Sequence, residues 1–504
     1  MRQALSLSSL LVDGLVCEIR GDANLSINGI KHDSRRVEPG DLFVALPGEH
    51  RDGMNFVIDA FERGAVAILS ERAFEAPLPV LISHNPLLAL SRIATSLYGD
   101  PSAHLDVVGV TGTNGKTTTC YLVEAMLESA GARPAVVGTV NFRGPQGVRP
   151  ATHTTPMADD LMRTIRDAVE AGATHLVLEV SSHALAMHRA DGVHFKVAAF
   201  TNLTQDHLDF HGDLATYEKA KRRLFEALSP KLKVVNIDDP FGSRLARELS
   251  GELLLCSKSA DAEAHIRALE WHSGRDGIGA IVTTPIGKIE VKSPLVGDHN
   301  LENLLVALGC AVALEIDRDK VASAISRAKG APGRLERIDH PAGVLVLVDY
   351  AHTPDALARV LAVLRPLTEG RLLVVFGCGG DRDTGKRPLM GEVGARGADI
   401  VILTSDNPRS EPPETIIRQI EQGVLRERMP PVDASCLVDC RRGYLVREDR
   451  RSAIDLAIAA ARPKDSVLIA GKGHETVQIV GANRNPFDDR IEARRAIDAL
   501  FANR

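Results

Sequence analysis

One stretch constrains this chain more than any other: Val107-Val-Gly-Val-Thr-Gly-Thr-Asn-Gly-Lys-Thr-Thr-Thr119. A short apolar run, Val107 to Val110, passes into a loop of Gly, Thr and Asn. The loop passes in turn into Cys120-Tyr-Leu-Val-Glu-Ala-Met-Leu127, whose apolar residues recur at helical spacing, so the predicted order is strand, loop, helix. A Gly-Lys-Thr at that junction predicts a phosphate-binding loop. Gly112 and Gly115 let the backbone turn several N–H groups inward, and the helix N-terminus adds partial positive charge. Lys116 neutralises β- and γ-phosphate oxygens, and Thr117 offers a hydroxyl to Mg²⁺. The general Gly-x-x-x-x-Gly-Lys-Thr pattern is one residue short, because Val110 stands where it has glycine. The alternative, an ordinary turn, explains the Gly-Lys-Thr but not the strand before it and the helix after it.

A chain of 504 residues exceeds what one core usually serves, which predicts two to four domains. With 44% hydrophobic and 25% charged residues it has the composition of an ordinary water-soluble globular protein. The net charge of −6 argues against a nucleic-acid partner. Seven scattered Cys without a C-x-x-C read as reduced thiols of a cytoplasmic protein, with neither disulfide nor metal, Cys436 and Cys440 included. The apolar run near Met1 is cut short by Asp13 and makes a poor signal peptide, and no run of about 18 apolar residues predicts a membrane span.

Around the loop the chain reads as alternating strands and helices. Residues 1–103 carry strand-like runs at Leu42-Phe-Val-Ala-Leu46, Ala65-Val-Ala-Ile-Leu69 and Val80-Leu-Ile-Ser83, preceded by His32-Asp-Ser-Arg-Arg36. Asp33 and Ser34 read as turn or cap residues; functionally, Ser34, Arg35 and the Gly48–Gly53 loop can grip an anion. Pro101-Ser-Ala-His104 reads as a linker. Beyond it come a strand from Ala135, a loop with Thr152, Thr154 and Thr155, a helix from Met157 to Ala171, and Thr174-His-Leu-Val-Leu-Glu179. The last reads as a buried parallel strand that ends on a carboxylate, where a nucleotide–Mg²⁺ enzyme needs one. Val197-Ala-Ala-Phe200 leads to Asn202, Asp206, His207, Asp209 and His211, a cluster suited to Mg²⁺, to substrate or to structure alone. Tyr217, Lys221 and Phe225 share a helix face, and by spacing alone Lys221 is a solvated lysine. Runs between 252 and 296 suggest antiparallel strands. After the Pro332-Gly333 hinge and Arg334, a third α/β unit starts at Gly343. It delivers polar loops after four strands, at Asp349, Gly377, Asp406 and Gly471, where α/β sheets bind ligands. Without a Gly-Lys-Thr of its own, it is predicted to hold a second substrate.

Taken in order, Gly112-Thr-Asn-Gly-Lys-Thr117, Glu179-Val-Ser-Ser-His183, Thr201-Asn-Leu203 with Asp206-His207, Asn300-Leu-Glu-Asn303, Gly333-Arg334, Asp349-Tyr-Ala-His-Thr-Pro354 and Gly471-Lys-Gly-His-Glu475 resemble the Mur ligases of bacterial cell-wall synthesis over nearly the whole chain. The ligase version of the loop, Gly109-x-x-Gly112-Thr-Asn-Gly-Lys-Thr, also accommodates Val110. The resemblance implies an α/β protein of three domains. These are an N-terminal UDP-sugar-binding domain (1–103), a central P-loop mononucleotide domain that binds ATP (104–333), and a C-terminal Rossmann-like amino-acid-binding domain (334–504). His32-Asp-Ser-Arg35, His153-Thr-Thr155, Gly377-Cys-Gly-Gly-Asp-Arg382 and Asp406-Asn-Pro-Arg409 are similar to the members that add meso-2,6-diaminopimelate to the D-Glu of UDP-MurNAc-L-Ala-D-Glu.

In such enzymes ATP phosphorylates the free D-Glu side carboxylate, and the amine attacks the acyl phosphate. The resemblance implies ATP contacts at Gly112, Thr113, Asn114, Gly115, Lys116, Thr117 and Thr118, with Asn303, Arg334 and Asp349 completing that site. Two Mg²⁺ are implied, held by Thr117, Glu179, His207 and Lys221, the lysine converted by CO₂ to N6-carboxylysine; Lys116, Lys221, Glu179 and His207 are the implied catalytic residues. Ser34, Thr154, Thr155, Ser181 and Arg189 match positions that bind the UDP-linked dipeptide. Arg382, Asp406, Asn407, Pro408, Arg409, Gly471 and Glu475 match those that bind diaminopimelate. Arg409 is the natural reader of the carboxylate that diaminopimelate has and lysine lacks. His153 and Met187 depart from the residues common there, Asn and Gln. A monomer without nucleic-acid or membrane partners is expected. Arg409 speaks against a lysine-adding ligase, and Asp33-Ser34 against a folylpolyglutamate synthase. The third-unit loops speak against a nucleotide switch that ligates nothing.

Overall fold

The structure, a computed structural model, describes residues 4–11, 15–48, 52–151 and 153–502. Glu49, His50 and Arg51 of the predicted anion-gripping loop, and Thr152, lie outside the described residues. The chain forms two compact units, one of 1–269, 281–289 and 302–325, the other of 270–280, 290–301 and 326–504.

The first unit begins with a five-stranded sheet in the order Glu18–Arg20, Val80–Ile82, Ala67–Ser70, Asp41–Val44, Gly29–Lys31. All its strands run parallel except Glu18–Arg20, an antiparallel edge. Asp41–Val44 and Ala67–Ser70 are buried at every position, which is why they read as unbroken apolar runs rather than alternating ones. The predicted Pro101–His104 linker is a short 3-10 turn.

The second sheet carries a parallel core in the order Pro134–Val137, His175–Glu179, Asp106–Thr111, Val197–Phe200, Leu232–Asn236, Glu252–Ser257. From Asp106–Thr111 the chain winds first to one side and then to the other, so the glycine loop sits at a topological switch point. Register places Glu179 opposite Val110 and Phe200 opposite Thr111. Three neighbouring strands therefore end side by side, bringing the loop, Glu179 and Thr201 to one rim. Glu252–Ser257 runs parallel to Leu232–Asn236, against the expected antiparallel arrangement from 252 onward. A run as short as Leu253-Leu-Leu255 has no period to announce its direction; pairing decides it. The later runs fall in strands Gly277–Thr284 and Gly287–Ser293.

One core joins the two sheets. Leu42, Leu69 and Leu81 of the first meet Leu90, Ile93 and Leu97 of helix Pro86–Leu97, then Leu161, Met162 and Ile165 of helix Ala158–Glu170, and Leu176 and Leu178 of the second. Asn85 starts the former helix by accepting from Leu88 N, with Pro86 in the first turn, where its missing N–H costs nothing.

The second unit is built on a six-stranded sheet in the order Glu336–Ile338, Leu345–Asp349, Ser466–Ala470, Leu372–Phe376, Ile400–Leu403, Gly443–Val446. Only the first pairing is antiparallel. Alternation shows in its two apolar clusters: Leu345, Leu347, Leu372 and Val374 pack on one face, Val346, Val348, Leu373 and Val375 on the other. Helices cover both faces, so all four predicted loops emerge from carboxyl ends of parallel strands.

Candidate functional site

The glycine loop leaves Thr111 with Gly112 at φ +152° and Gly115 at φ +84°, and helix Lys116–Ser129 follows. A Cβ would stand 1.9 Å from Thr201 Oγ1 at Gly112 and 2.1 Å from Asn303 Oδ1 at Gly115, so both conformation and space demand glycine. The segment after the next strand braces the loop: Thr113 N donates to Asn202 O at 2.8 Å, Asn114 N to Asn202 Oδ1 at 2.9 Å, and Thr201 Oγ1 to Asn114 O at 2.6 Å. Lys116 Nζ lies on the loop itself, donating to Gly112 O at 2.9 Å and Thr113 O at 2.8 Å. Thr117 Oγ1 donates to Glu179 Oε2 at 3.0 Å, and Thr118 is buried beside it in the helix's first turn.

Glu179, 2% exposed, is the hub of the first unit's site. It also accepts from Thr139 N at 3.0 Å and Thr139 Oγ1 at 2.9 Å, and the same Thr139 hydroxyl meets Thr154 Oγ1 at 3.0 Å. Thr155 Oγ1 donates to Glu179 O at 2.7 Å and accepts from Ser181 N at 3.1 Å. Arg189 Nη1 donates to Thr155 O at 3.0 Å, and its Nη2 reaches Met187 Sδ at 3.1 Å. Four residues matched to the peptide substrate thus gather around Glu179, Thr154 through Thr139 at its carboxylate, and Thr155 at its backbone carbonyl with Ser181 and Arg189 bonded to Thr155. Thr139 escaped sequence reading; its signal is a hydroxyl directly after the strand Pro134–Val137 and a glycine. His153 is exposed as a residue, but partial shielding of its ring from water, together with Arg189, lowers its imidazole.

Ser34 is buried on the 3-10 turn Ser34–Arg36, which Asp33 caps. That turn is clasped to the first turn of helix Ala158–Glu170, immediately after the Thr154–Thr155 loop: His32 Nδ1 sits 2.8 Å from Asp159 Oδ2, and Arg36 donates to both Asp160 oxygens at 2.6 and 2.7 Å. Asp159 and Asp160 also suit the positive end of the helix. Their oxygens are engaged by His32, Arg36 and Arg163, so the trio His32, Asp159 and Asp160 is a clasp rather than a free ligand set.

Lys221 overturns the reading by spacing: it is 1% exposed, its Nζ donates to Gly112 O at 2.8 Å and lies 4.4 Å from the Tyr217 ring centre. Helix Leu214–Arg222 turns both residues inward. Burial pushes this amine well below the usual lysine range, and Lys116, donating to the same carbonyl, pushes the same way. Tyr217, bonded to Thr113 Oγ1 at 3.1 Å, is raised by burial to about 12. His207 adopts φ +53°, and its ring stands 4.9 Å from His183 and 6.3 Å from Tyr217. Burial, then His207 and His211, hold His183 at about 4. Among the described contacts His207 does not reach Thr117 or Glu179 and joins Lys221 only through Tyr217. The donors around Glu179 are hard oxygens of the kind Mg²⁺ takes, and the cradle is one that any Cβ would fill; these residues fit a magnesium nucleotide. The ammonium form of Lys221 only donates and repels a cation, whereas its carbamate would offer anionic oxygens of the kind Mg²⁺ takes.

In the second unit Asp349 ends its strand 6% exposed and accepts from Leu335 N at 2.7 Å and Ala351 N at 2.8 Å. Burial raises its carboxyl, with Arg334 working against the rise. Arg334 itself lies 5.0 Å from the Tyr350 ring centre. Asp406, Asn407 and Pro408 are buried behind Arg409, which has φ +52° and donates through Nη1 to Gly380 O at 2.7 Å. Asn407 Nδ2 donates to Glu475 Oε2 at 2.8 Å, and buried Gly471 follows strand Ser466–Ala470. Arg382 is exposed beside them in the Gly377–Asp383 loop. Fully buried Arg387 laces these loops: it grips both Glu411 oxygens at 2.8 Å, while Asp381 N donates to Glu411 Oε1 at 2.6 Å.

Comparison with known proteins points the same way. Residues 110–311 match the Mur ligase middle domain, 333–473 the Mur ligase glutamate ligase domain, and 26–94 the catalytic domain of the Mur ligase family. The chain is 44% identical over 494 residues to the UDP-N-acetylmuramoyl-L-alanyl-D-glutamate–2,6-diaminopimelate ligase of Geobacter metallireducens, covering 96% of each. Against the enzyme of that name from Gloeobacter violaceus it is 43% identical, covering 95% of this chain and 96% of the relative. A solved structure of a UDP-N-acetylmuramoyl-L-alanyl-D-glutamate–2,6-diaminopimelate ligase superposes with a TM-score of 0.70 at 35% identity over 99% of both chains. The MurF ligase of Thermotoga maritima, solved in complex with ADP, shares the fold at 19% identity and a TM-score of 0.59, over 94% of this chain and 97% of that one.

Proposed function

The chain belongs to the Mur ligase family, and from that premise we propose that it joins meso-2,6-diaminopimelate to the D-Glu of UDP-MurNAc-L-Ala-D-Glu at the cost of ATP, a step of peptidoglycan precursor synthesis. The observation that carries the reading is Glu179: one buried carboxylate is bonded to Thr117 of the phosphate loop and, through Thr139, to Thr154 of the peptide-binding loop. A phosphate donor and a carboxylate acceptor held there are neighbours. The D-Glu side carboxylate attacks the γ-phosphorus and ADP departs. The neutral amine of diaminopimelate then attacks the acyl carbon, loses a proton, and expels inorganic phosphate as the amide forms.

Each step has residues suited to it. Lys116 and the loop N–H groups stabilise charge on the transferring phosphoryl group. Mg²⁺, two ions in this reading, supplies further neutralisation when bound, with Thr117, Glu179, His207 and carbamylated Lys221 as its holders. Lys221 has the chemistry for that modification, because CO₂ adds to a neutral amine and burial beside Lys116 favours the neutral form. Asn303, Arg334 and Asp349 complete the nucleotide site; Ser34, Thr154, Thr155, Ser181 and Arg189 take the UDP-linked dipeptide. Arg382, Asp406, Asn407, Pro408, Arg409, Gly471 and Glu475 take the amino acid, Arg409 reading its distal carboxylate bidentately. We assign the domains as 1–103, 104–333 and 334–504, and the protein as a cytoplasmic monomer; no helix among the described residues is long and apolar enough to cross a membrane. The test is phosphate release with ATP, Mg²⁺ and the UDP-linked dipeptide across a panel of amino acids. Meso-diaminopimelate is expected to support turnover and lysine to support little; equal rates with lysine overturn the specificity.

A further inference from the structure

Lys472 is among the largest fully buried side chains of the protein, 0% exposed, in the loop Gly471–Glu475 that the reading above assigns to the amino acid. Its Nζ donates to Asn407 Oδ1 at 3.1 Å and to Glu475 Oε2 at 3.1 Å, and stands 3.6 Å from Asp406 Oδ1. Asn407 Oδ1 also accepts from Ile479 N at 2.9 Å. Two donors on one atom fix which end of the amide is oxygen, so Nδ2 is forced toward Glu475 Oε2. Asp406, 7% exposed, keeps an Oδ1 that is buried without a hydrogen-bond partner, a costly state that a bound donor would relieve. Neighbouring Arg450 leaves this balance unchanged, because it is paired with Asp489 at 2.7 Å with both side chains fully buried.

We propose that Lys472 is a positioning residue of the amino-acid site: its ammonium, sealed against Asp406, Asn407 and Glu475, orients the Asn407 amide and leaves the two carboxylates one net negative charge, the complement of a single substrate ammonium. This rests on the amino-acid site assigned above. The charge matters because a diamino acid must present one amine neutral to the acyl phosphate while the other stays protonated. Two uncompensated carboxylates would favour the substrate with both amines charged. Lys472 thus selects for one ammonium, as Arg409 selects for the far carboxylate.

The experiment measures steady-state constants for Lys472→Gln and Lys472→Met in the full chain, with melting temperatures alongside. Gln keeps a donor without the charge; Met keeps the volume alone. The expected result is a KM for meso-diaminopimelate raised about tenfold or more in both, since a hydrogen bond to a charged group is lost, with KM for ATP and for the UDP-linked dipeptide within about twofold of the unmodified chain. Added n-propylammonium should recover part of the lost activity in Lys472→Ala, and n-propanol none. An unchanged KM for diaminopimelate overturns the proposal. Parallel loss for all three substrates, or failure of both variants to fold, makes Lys472 a framework residue and overturns it equally. Absence of turnover by the unmodified chain with every amino acid is a separate result, which overturns the ligase reading before any variant is made.

Discussion

Lys221 shows how burial converts one residue type into another chemistry. A lysine cation under Gly112 faces a second lysine and little water, so the folded protein disfavours the charge. The sign follows: with the folded value below the unfolded one, near 10.4, no penalty exists above the unfolded value. The penalty grows as pH falls toward the folded value, and conversion to a carbamate removes it by replacing the cation. Lys221→Ala is expected to lower turnover by about 10²- to 10³-fold, the scale of losing one preorganised electrostatic group. Short carboxylic acids such as acetate should restore part of it, and the unmodified chain should lose activity on removal of CO₂ and bicarbonate. A wild-type rate in Lys221→Ala removes the residue from the site. The glycine loop was legible in sequence because its pattern is local. Lys221 was legible only by resemblance, since the i,i+4 spacing that relates it to Tyr217 is equally that of a solvated face; burial is decided by what the helix packs on. Thr139 was missed for the same reason, its partners Thr154 and Glu179 being remote in sequence.

Elements were easier to foresee than their connections. Continuous apolar runs announced the parallel strands, and a helix expected over Met157 to Ala171 is found over Ala158–Glu170. Sequence could not reveal that Asp159 and Asp160, in that helix's first turn, grip His32 and Arg36 more than a hundred residues away. This clasp tethers the turn bearing Ser34 to the helix behind Thr154 and Thr155, so its strength should appear in the affinity for the UDP-linked dipeptide. The two arms titrate differently. Asp160, which burial would raise, is pulled by Arg36 and Arg163 to about 2, and the Arg36 arm therefore persists at all ordinary pH. His32 is the arm that changes: burial works against its cation, but Asp159, with Asp160 and Asp33, outweighs burial and raises it. A raised histidine contributes fully below its unfolded value of about 6.5 and loses that contribution as pH climbs through the folded value. The KM for the UDP-linked dipeptide is expected to rise roughly threefold from pH 6 to pH 9, and His32→Gln should flatten the change. An equal slope in both proteins means that some other group titrates.

At the scale of the molecule, the two proposed half-reactions draw chiefly on residues of different units. Lys116, Thr117, Glu179, Thr154, Thr155, Ser181 and Arg189, assigned to phosphoryl transfer to the dipeptide, belong to the first; Arg382, Asp406, Asn407, Arg409 and Glu475, assigned to the amine, belong to the second, as do Arg334 and Asp349, assigned to the nucleotide. Each set sits at carboxyl ends of parallel strands in its own sheet, and each is braced within its own unit, the first through Glu179 and the second through Lys472 and the Arg387–Glu411 pair. The chemistry should therefore be separable by substitution. Hydroxylamine intercepts an acyl phosphate as a hydroxamate and needs no amino-acid site. Arg409→Ala, which removes the guanidinium proposed to grip the far carboxylate bidentately, is expected to lower kcat/KM for diaminopimelate by about 10²-fold or more, while hydroxamate formed from ATP and the UDP-linked dipeptide stays within about twofold of the unmodified chain. Lys116→Ala should abolish both products, because its charge acts before the acyl phosphate exists. Loss of hydroxamate in Arg409→Ala would mean that the second unit's site also governs phosphoryl transfer, and the division of labour between the units would fall.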